Sequence, residues 1–203
     1  QEANATAAAD TVTLGGRHYQ LSLAGVNEDN AVTGDLDIKN NLTINGEFGS
    51  TVVDGGSLDR VFAVLLGTNV TIRNVTIQNG AADNGAGVLV DIGSTLALER
   101  STVRDNVANA DSGGGIYNAQ GTLTLVQSTL TGNYAPYGGA IFNRGALTVQ
   151  NSTLFDNDAY RGGALNTDSS NATLIVNSTI SGNRASDGGG LYVQSGAVTL
   201  NNA

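Results

Sequence analysis

Cysteine, methionine and tryptophan are absent from this chain of 203 residues. Without cysteine there is no disulfide framework of the kind that staples small secreted domains. Thiolate nucleophiles and thiolate zinc sites are excluded with it. Histidine occurs once, as His18, and proline once, as Pro136. A single histidine does not make a metal cluster, and a nucleophilic triad would have to rest on it alone. Beside Tyr19 it reads as a surface residue. Lysine also occurs once, as Lys39, among nine basic residues set against 18 acidic ones, for a net charge of −9. Nucleic acid and anionic membranes need clustered cations, so neither is expected as a partner. No apolar run approaches the ~20 residues of a membrane-spanning helix. Gln1 opens a polar stretch rather than a secretion signal, so the expectation is a processed start or a fragment.

What the chain has in abundance is glycine, 28 residues of it, together with Asn, Thr, Ser, Val, Leu and Ala. β-Branched residues favour strands, and Gly and Asn favour tight turns of positive φ. The sequence is repetitive. One motif reads Val75-Thr76-Ile77, Ser101-Thr102-Val103, Ser128-Thr129-Leu130, Ser152-Thr153-Leu154 and Ser178-Thr179-Ile180, at steps of 26, 27, 24 and 26 residues. Three residues past each aliphatic stand Gly80, Asn106, Asn133, Asn157 and Asn183. A second motif begins at Gly85, Gly113, Gly138, Gly162 and Gly188, and ends on Val88, Ile116, Ile141, Leu165 and Leu191. A third segment alternates as Val70/Ile72, Leu96/Leu98, Leu123/Leu125 and Leu147/Val149, and loses register at Leu174-Ile175-Val176.

A helical face would not survive steps that vary by one to three residues, whereas strands joined by turns absorb them. The reading is an all-β chain, a right-handed single-stranded parallel β-helix of about seven or eight coils of roughly 24–27 residues, three strands per coil. Residues 1–67 supply less regular coils and the remnant of a cap. Residues 68–203 supply regular repeats of the same continuous domain. Asn106, Asn133, Asn157 and Asn183 are expected to stack as a hydrogen-bonded ladder at a corner.

Gly138-Gly139-Ala140-Ile141-Phe142-Asn143 and Phe155-Asp156-Asn157 resemble the GGAI and FxxN repeats of chlamydial polymorphic outer-membrane proteins. Ala9 to Leu14, Gly34 to Ile38, Asp54-Gly55-Gly56 and Asp59 to Phe62 resemble large bacterial surface proteins that carry a CSLREA domain. Glu2-Ala3-Asn4 is similar to the tail of that family's capping segment, whose signature residues are missing here. The resemblance implies β-helix repeats, a bacterial surface location and further sequence on either side. It brings no catalytic motif.

The glycine runs lack the Lys-Ser/Thr of a phosphate loop and the aspartate of calcium-binding nonapeptides. Asp83, Asp105, Asp111, Asp156, Asp158 and Asp187 are the carboxylates that a polysaccharide lyase or hydrolase would draw on. Solvated turn positions are the preferred account of them. No cofactor is expected, and at most a weakly held calcium. Aromatics are the sharper signal. If Val88, Ile116, Ile141, Leu165 and Leu191 face inward, then Leu89, Tyr117, Phe142, Asn166 and Tyr192 face outward. Tyr134, Tyr137 and Tyr160 fall in the turn before the glycines, and Arg161 stacks on Asp187. These residues form either a contact face for sugars or proteins, or a column that a corner turns away. Thr122/Thr124 begins an ice-binding pattern that Arg73, Ala97 and Glu99 interrupt. N-x-T sequons recur at Asn4, Asn41, Asn69, Asn74, Asn151, Asn171 and Asn177.

The expected function is a non-catalytic extracellular or cell-surface module, structural or adhesive. Its partners would be copies of itself, stacked end to end or laterally, or other surface proteins. The chain stops at Ala203 inside a new strand, which fits end-to-end stacking or truncation alike. The alternative is a carbohydrate-binding module built on the aromatic face; a lyase or hydrolase ranks third.

Overall fold

A computed structural model describes residues 10–25 and 33–203. The expected cap remnant at Glu2-Ala3-Asn4, the sequon at Asn4 and Ala9 lie outside the described residues. The remainder is a parallel β-solenoid in which all named strand pairs are parallel. Its first sheet stacks eight strands: Asp10–Thr13, Leu42–Asn45, Asn69–Arg73, Thr95–Glu99, Thr122–Val126, Ala146–Gln150, Thr173–Val176 and Val198–Asn201. A second sheet of seven strands runs from His18–Gln20 to Thr179–Ser181, and a third of seven from Leu36–Ile38 to Leu191–Ser195.

Two expectations need correcting. Six turns are described from end to end, Leu42 to Ser195, rather than seven or eight. Early turns are longer than the repeat: Asp10 pairs with Leu42, 32 residues on, and Leu42 with Val70, 28 residues on. Each regular turn also holds four strands, not three. A narrow fourth sheet of five strands, Ala81–Ala82 to Arg184–Asp187, occupies the segment read as a turn before the glycines.

Alternation along each strand sends aliphatics inward, where one cluster extends from Ile38 to Ile175. Leu96, Leu98, Leu123, Leu125 and Leu154 are fully enclosed, each contributing roughly 1.5–3 kcal/mol. The register break resolves simply. Thr173 pairs with Leu147 and Ile175 with Val149, so Thr173 and Ile175 point inward and Leu174 outward.

Corners interrupt the backbone ladder, and buried polar side chains replace it. Between the first and second sheets, the N–H groups of Val75, Ser101, Ser128 and Ser152 donate to the Oγ of Ser101, Ser128, Ser152 and Ser178 one turn on, at 3.0–3.3 Å. After the second sheet the asparagine ladder stands as expected. The N–H groups of Gly80, Asn106, Asn133 and Asn157 donate to Oδ1 of Asn106, Asn133, Asn157 and Asn183. Gly80 starts that column because a Cβ there would collide with the Ala86 carbonyl. A second asparagine ladder, unforeseen, closes the corner after the third sheet. Asn118 Nδ2 donates to Asn143 Oδ1 at 2.7 Å, and Asn143 Nδ2 to Thr173 Oγ1 at 3.2 Å.

The first corner also explains three of the sequons. Asn74, Asn151 and Asn177 take φ of 58°, 51° and 46° there, a conformation asparagine adopts at low cost. The Thr two residues on begins the next strand.

Asn133→Ala removes the acceptor of the Asn106 N–H and leaves that group buried without a partner. We expect a loss of about 3–5 kcal/mol by urea denaturation, against about 1 kcal/mol for Asn183→Ala at a half-buried rung.

Candidate functional site

The glycines that end the fourth sheet shape the site. Gly85, Gly113, Gly138, Gly162 and Gly188 all have φ between 56° and 67°. A Cβ at Gly85 would press on the Tyr117 side chain, and one at Gly188 on that of Tyr192. This bend folds the outer face of the third sheet back against the edge of the fourth. The column Tyr117, Phe142, Asn166, Tyr192 thereby runs along a groove, and Phe142 is the member of the column that lines its cavity. The groove's wall is the register column Tyr137, Arg161, Asp187.

The outward direction of the aromatic column was legible, but its exposure was not uniform as expected. Phe142 is 6% exposed and Asn166 0%, because the bend encloses them. Tyr117 and Phe142 stack at 5.5 Å. The Arg144 guanidinium lies over Phe142 at 5.3 Å and donates to the Tyr117 hydroxyl at 3.1 Å. Arg161 faces both Tyr160 and Tyr192, at 5.5 and 5.3 Å, and its Nε donates to Asp187 at 3.2 Å. That hydrogen bond, followed by the Tyr192 phenol, holds Arg161 above its ordinary range. Tyr134 stands apart, 43% exposed, beside Val107 and Asp158. A cavity of about 230 Å³ sits in the groove, lined in part by Asp111, Ser112, Tyr137, Phe142, Arg144 and Arg161. Beyond Arg144 a second depression of about 540 Å³ reaches Asp168 and Asn171.

Arg144 went unnoticed in the sequence because its column, which runs Lys39, Leu65, Asp91, Ala119, Arg144 and Asp168, follows no pattern. The other carboxylates divide as follows. Asp105 and Asp156 share a left-handed corner, φ 56° and 51°, and Arg104 binds Asp105 at 2.9 Å. Asp83 and Asp111 are neighbours, joined through backbone at 3.0 Å. Asp158 pairs in register with Arg184. Among the described residues no three His, Asp or Glu side chains are grouped to hold a metal ion.

The family model for the right-handed beta helix region matches residues 62–203. The chain belongs to that family. No curated protein and no solved structure matches it. Two polar knots lie in the early turns of the β-helix, away from the groove. His18 Nε2 meets Asp54 Oδ2 at 2.8 Å, and the same oxygen accepts from Gln78 and Asn79 at 2.6 and 2.9 Å. Burial pushes Asp54 upward, but the hydrogen bonds from Gln78, the Gly56 N–H, His18 and Asn79 outweigh it and hold the carboxyl at about 2. Asp35 is the reverse. Burial pushes it up to about 6, with Asp37 and Asp59 adding to the rise and Arg60, 2.9 Å away, opposing it.

These two groups give an acid profile with a maximum. Asp35, raised in the fold, contributes stability that is full below about pH 4 and lost as pH climbs through about 6. Asp54, lowered in the fold, contributes stability that is full above about pH 4 and lost as pH falls toward about 2. Urea midpoints from pH 2 to 8 should peak near pH 4, and Asp54→Asn should flatten only the acid limb.

Proposed function

We propose that this β-helix is a non-catalytic rod of an extracellular or bacterial-surface protein, structural or adhesive in role, and that the aromatic groove is its contact surface. The groove carries this reading. An aromatic column runs along it and its guanidinium groups are anchored on rings. Asp168 and Asp187 each face an arginine, at 3.9 and 3.2 Å. Acid–base catalysis needs two groups that reach one bond; fixed planar donors over rings suit holding a partner. The likeness to CSLREA-bearing and polymorphic outer-membrane proteins supports the surface location. Partners of matching chemistry are a polysaccharide, another surface protein, or a second copy docking laterally on Tyr134 and Tyr160, which are 43% and 53% exposed. The reading requires no cofactor.

The purified chain, incubated with pectin and alginate, should generate no new reducing ends and no unsaturated products. On polysaccharide columns and in light scattering, the Tyr117→Ala/Tyr192→Ala double variant should lose whatever retention or self-association the parent shows. Product formation, or a double variant that matches the parent in both assays, would overturn the proposal.

A further inference from the structure

We infer that the groove is a subsite for an uncharged sugar ring and that Asn166 is its polar anchor, an inference that rests on the groove being the contact surface. Six asparagines are fully enclosed: Asn106, Asn118, Asn133, Asn143, Asn157 and Asn166. The first five are bonded within the corner ladders. Asn166 alone has neither Oδ1 nor Nδ2 partnered. Its neighbours Leu165 and Thr167 face the interior, where Asn143 donates to Thr167 Oγ1. Asn166 therefore points to the groove side, in the row between Phe142 and Tyr192. Adjacent turns place aromatic rings in this column, so an apolar residue would serve the fold better. A buried, unpaired carboxamide is a cost that a ligand would remove.

Two arginines flank that row, and they differ in restraint. Arg161 is held by Asp187 and by two rings. Arg144 is 47% exposed, 3.9 Å from Asp168, and held by the neutral Tyr117 hydroxyl and the Phe142 ring, so it is the more easily displaced of the two when a ligand reaches the row that contains Asn166. A carboxamide offers two donors and an acceptor, which matches neighbouring hydroxyls that both donate and accept. The aromatic column matches the C–H face of a pyranose. Charge favours a neutral ring. Asp168 and Asp187 offset the two guanidinium groups, Asp111 adds a further carboxylate, and the chain carries −9 overall. The cavity of about 230 Å³ suits one ring; Phe142 lines it, and Asn166 lies in the adjoining rung of the same column, enclosed until a ligand displaces the side chains over it. The depression beyond Arg144 gives the neighbouring ring of a glycan a place to lie.

The test compares the full chain with Asn166→Leu, a near-isosteric change, and with Arg161→Ala. Each is passed over immobilised β-linked hexasaccharides of glucose, mannose and galactose, and over oligogalacturonate of the same length, with melting temperature as the check on folding. We expect the parent to retain a neutral oligosaccharide. We expect Asn166→Leu to weaken that retention by about tenfold or more while its melting temperature holds or rises. A parent that prefers oligogalacturonate overturns the uncharged class. Retention that Arg161→Ala abolishes and Asn166→Leu leaves intact overturns the role of Asn166 but keeps the groove as contact surface. A lowered melting temperature for Asn166→Leu, with binding unchanged, shows a structural residue and overturns it too. No retention of any oligosaccharide overturns the sugar site, and the tyrosine double variant in light scattering then decides whether the contact reading also falls.

Discussion

A chain that coils must turn corners, and at each corner its backbone amides lose the carbonyls that a straight strand would offer. The solenoid depends on how that loss is made good. Three polar columns do it: Ser101 to Ser178, Asn106 to Asn183, and Asn118 with Asn143. Every side chain but Asn118, whose Oδ1 takes the Gly121 N–H of its own turn, accepts from the turn before it, and most also donate onward or back, so the rungs depend on their neighbours. Aliphatic burial provides most of the stabilising free energy, but it is non-directional and tolerates small slips. The polar columns do not. A one-residue shift would strand several amides in the interior at once. Register is thus set at the corners and strength in the columns between them.

The groove follows from the same geometry. At one corner the bend is made by glycine in the left-handed region, and its sharpness folds two outer faces toward each other. Interior positions are committed to the stack, so variation is confined to the outward ones. The third-sheet column uses this freedom, passing from Leu89 through Tyr117, Phe142 and Asn166 to Tyr192 while its inner partner stays aliphatic. Local chemistry changes from rung to rung on an unchanging frame.

That division explains what could be read from the chain. Inner columns recur at every step, so the aliphatics, the glycine corner and the Asn106 ladder were visible. The second asparagine ladder was hidden because earlier turns put Val64 and Val90 in its column. The fourth sheet was mistaken for a turn because its strands are short and Pro136 interrupts one of them. Thr173 obscured its own strand by standing where leucine was expected, inward and bonded to Asn143. Burial of Phe142 and Asn166 depends on how two faces approach across a bend. Period and alternation along one strand do not encode that distance.

The left-handed corner at Asn74, Asn151 and Asn177 bears on how such chains are read. Asparagine suits the bend, and threonine two places later suits the strand that follows. Together they spell the acceptor signature for N-linked glycans, as a consequence of backbone geometry alone. A solenoid of this kind writes that signature once per rung wherever both preferences coincide. At those positions the signature reports corner chemistry and says nothing about the compartment in which the protein matures.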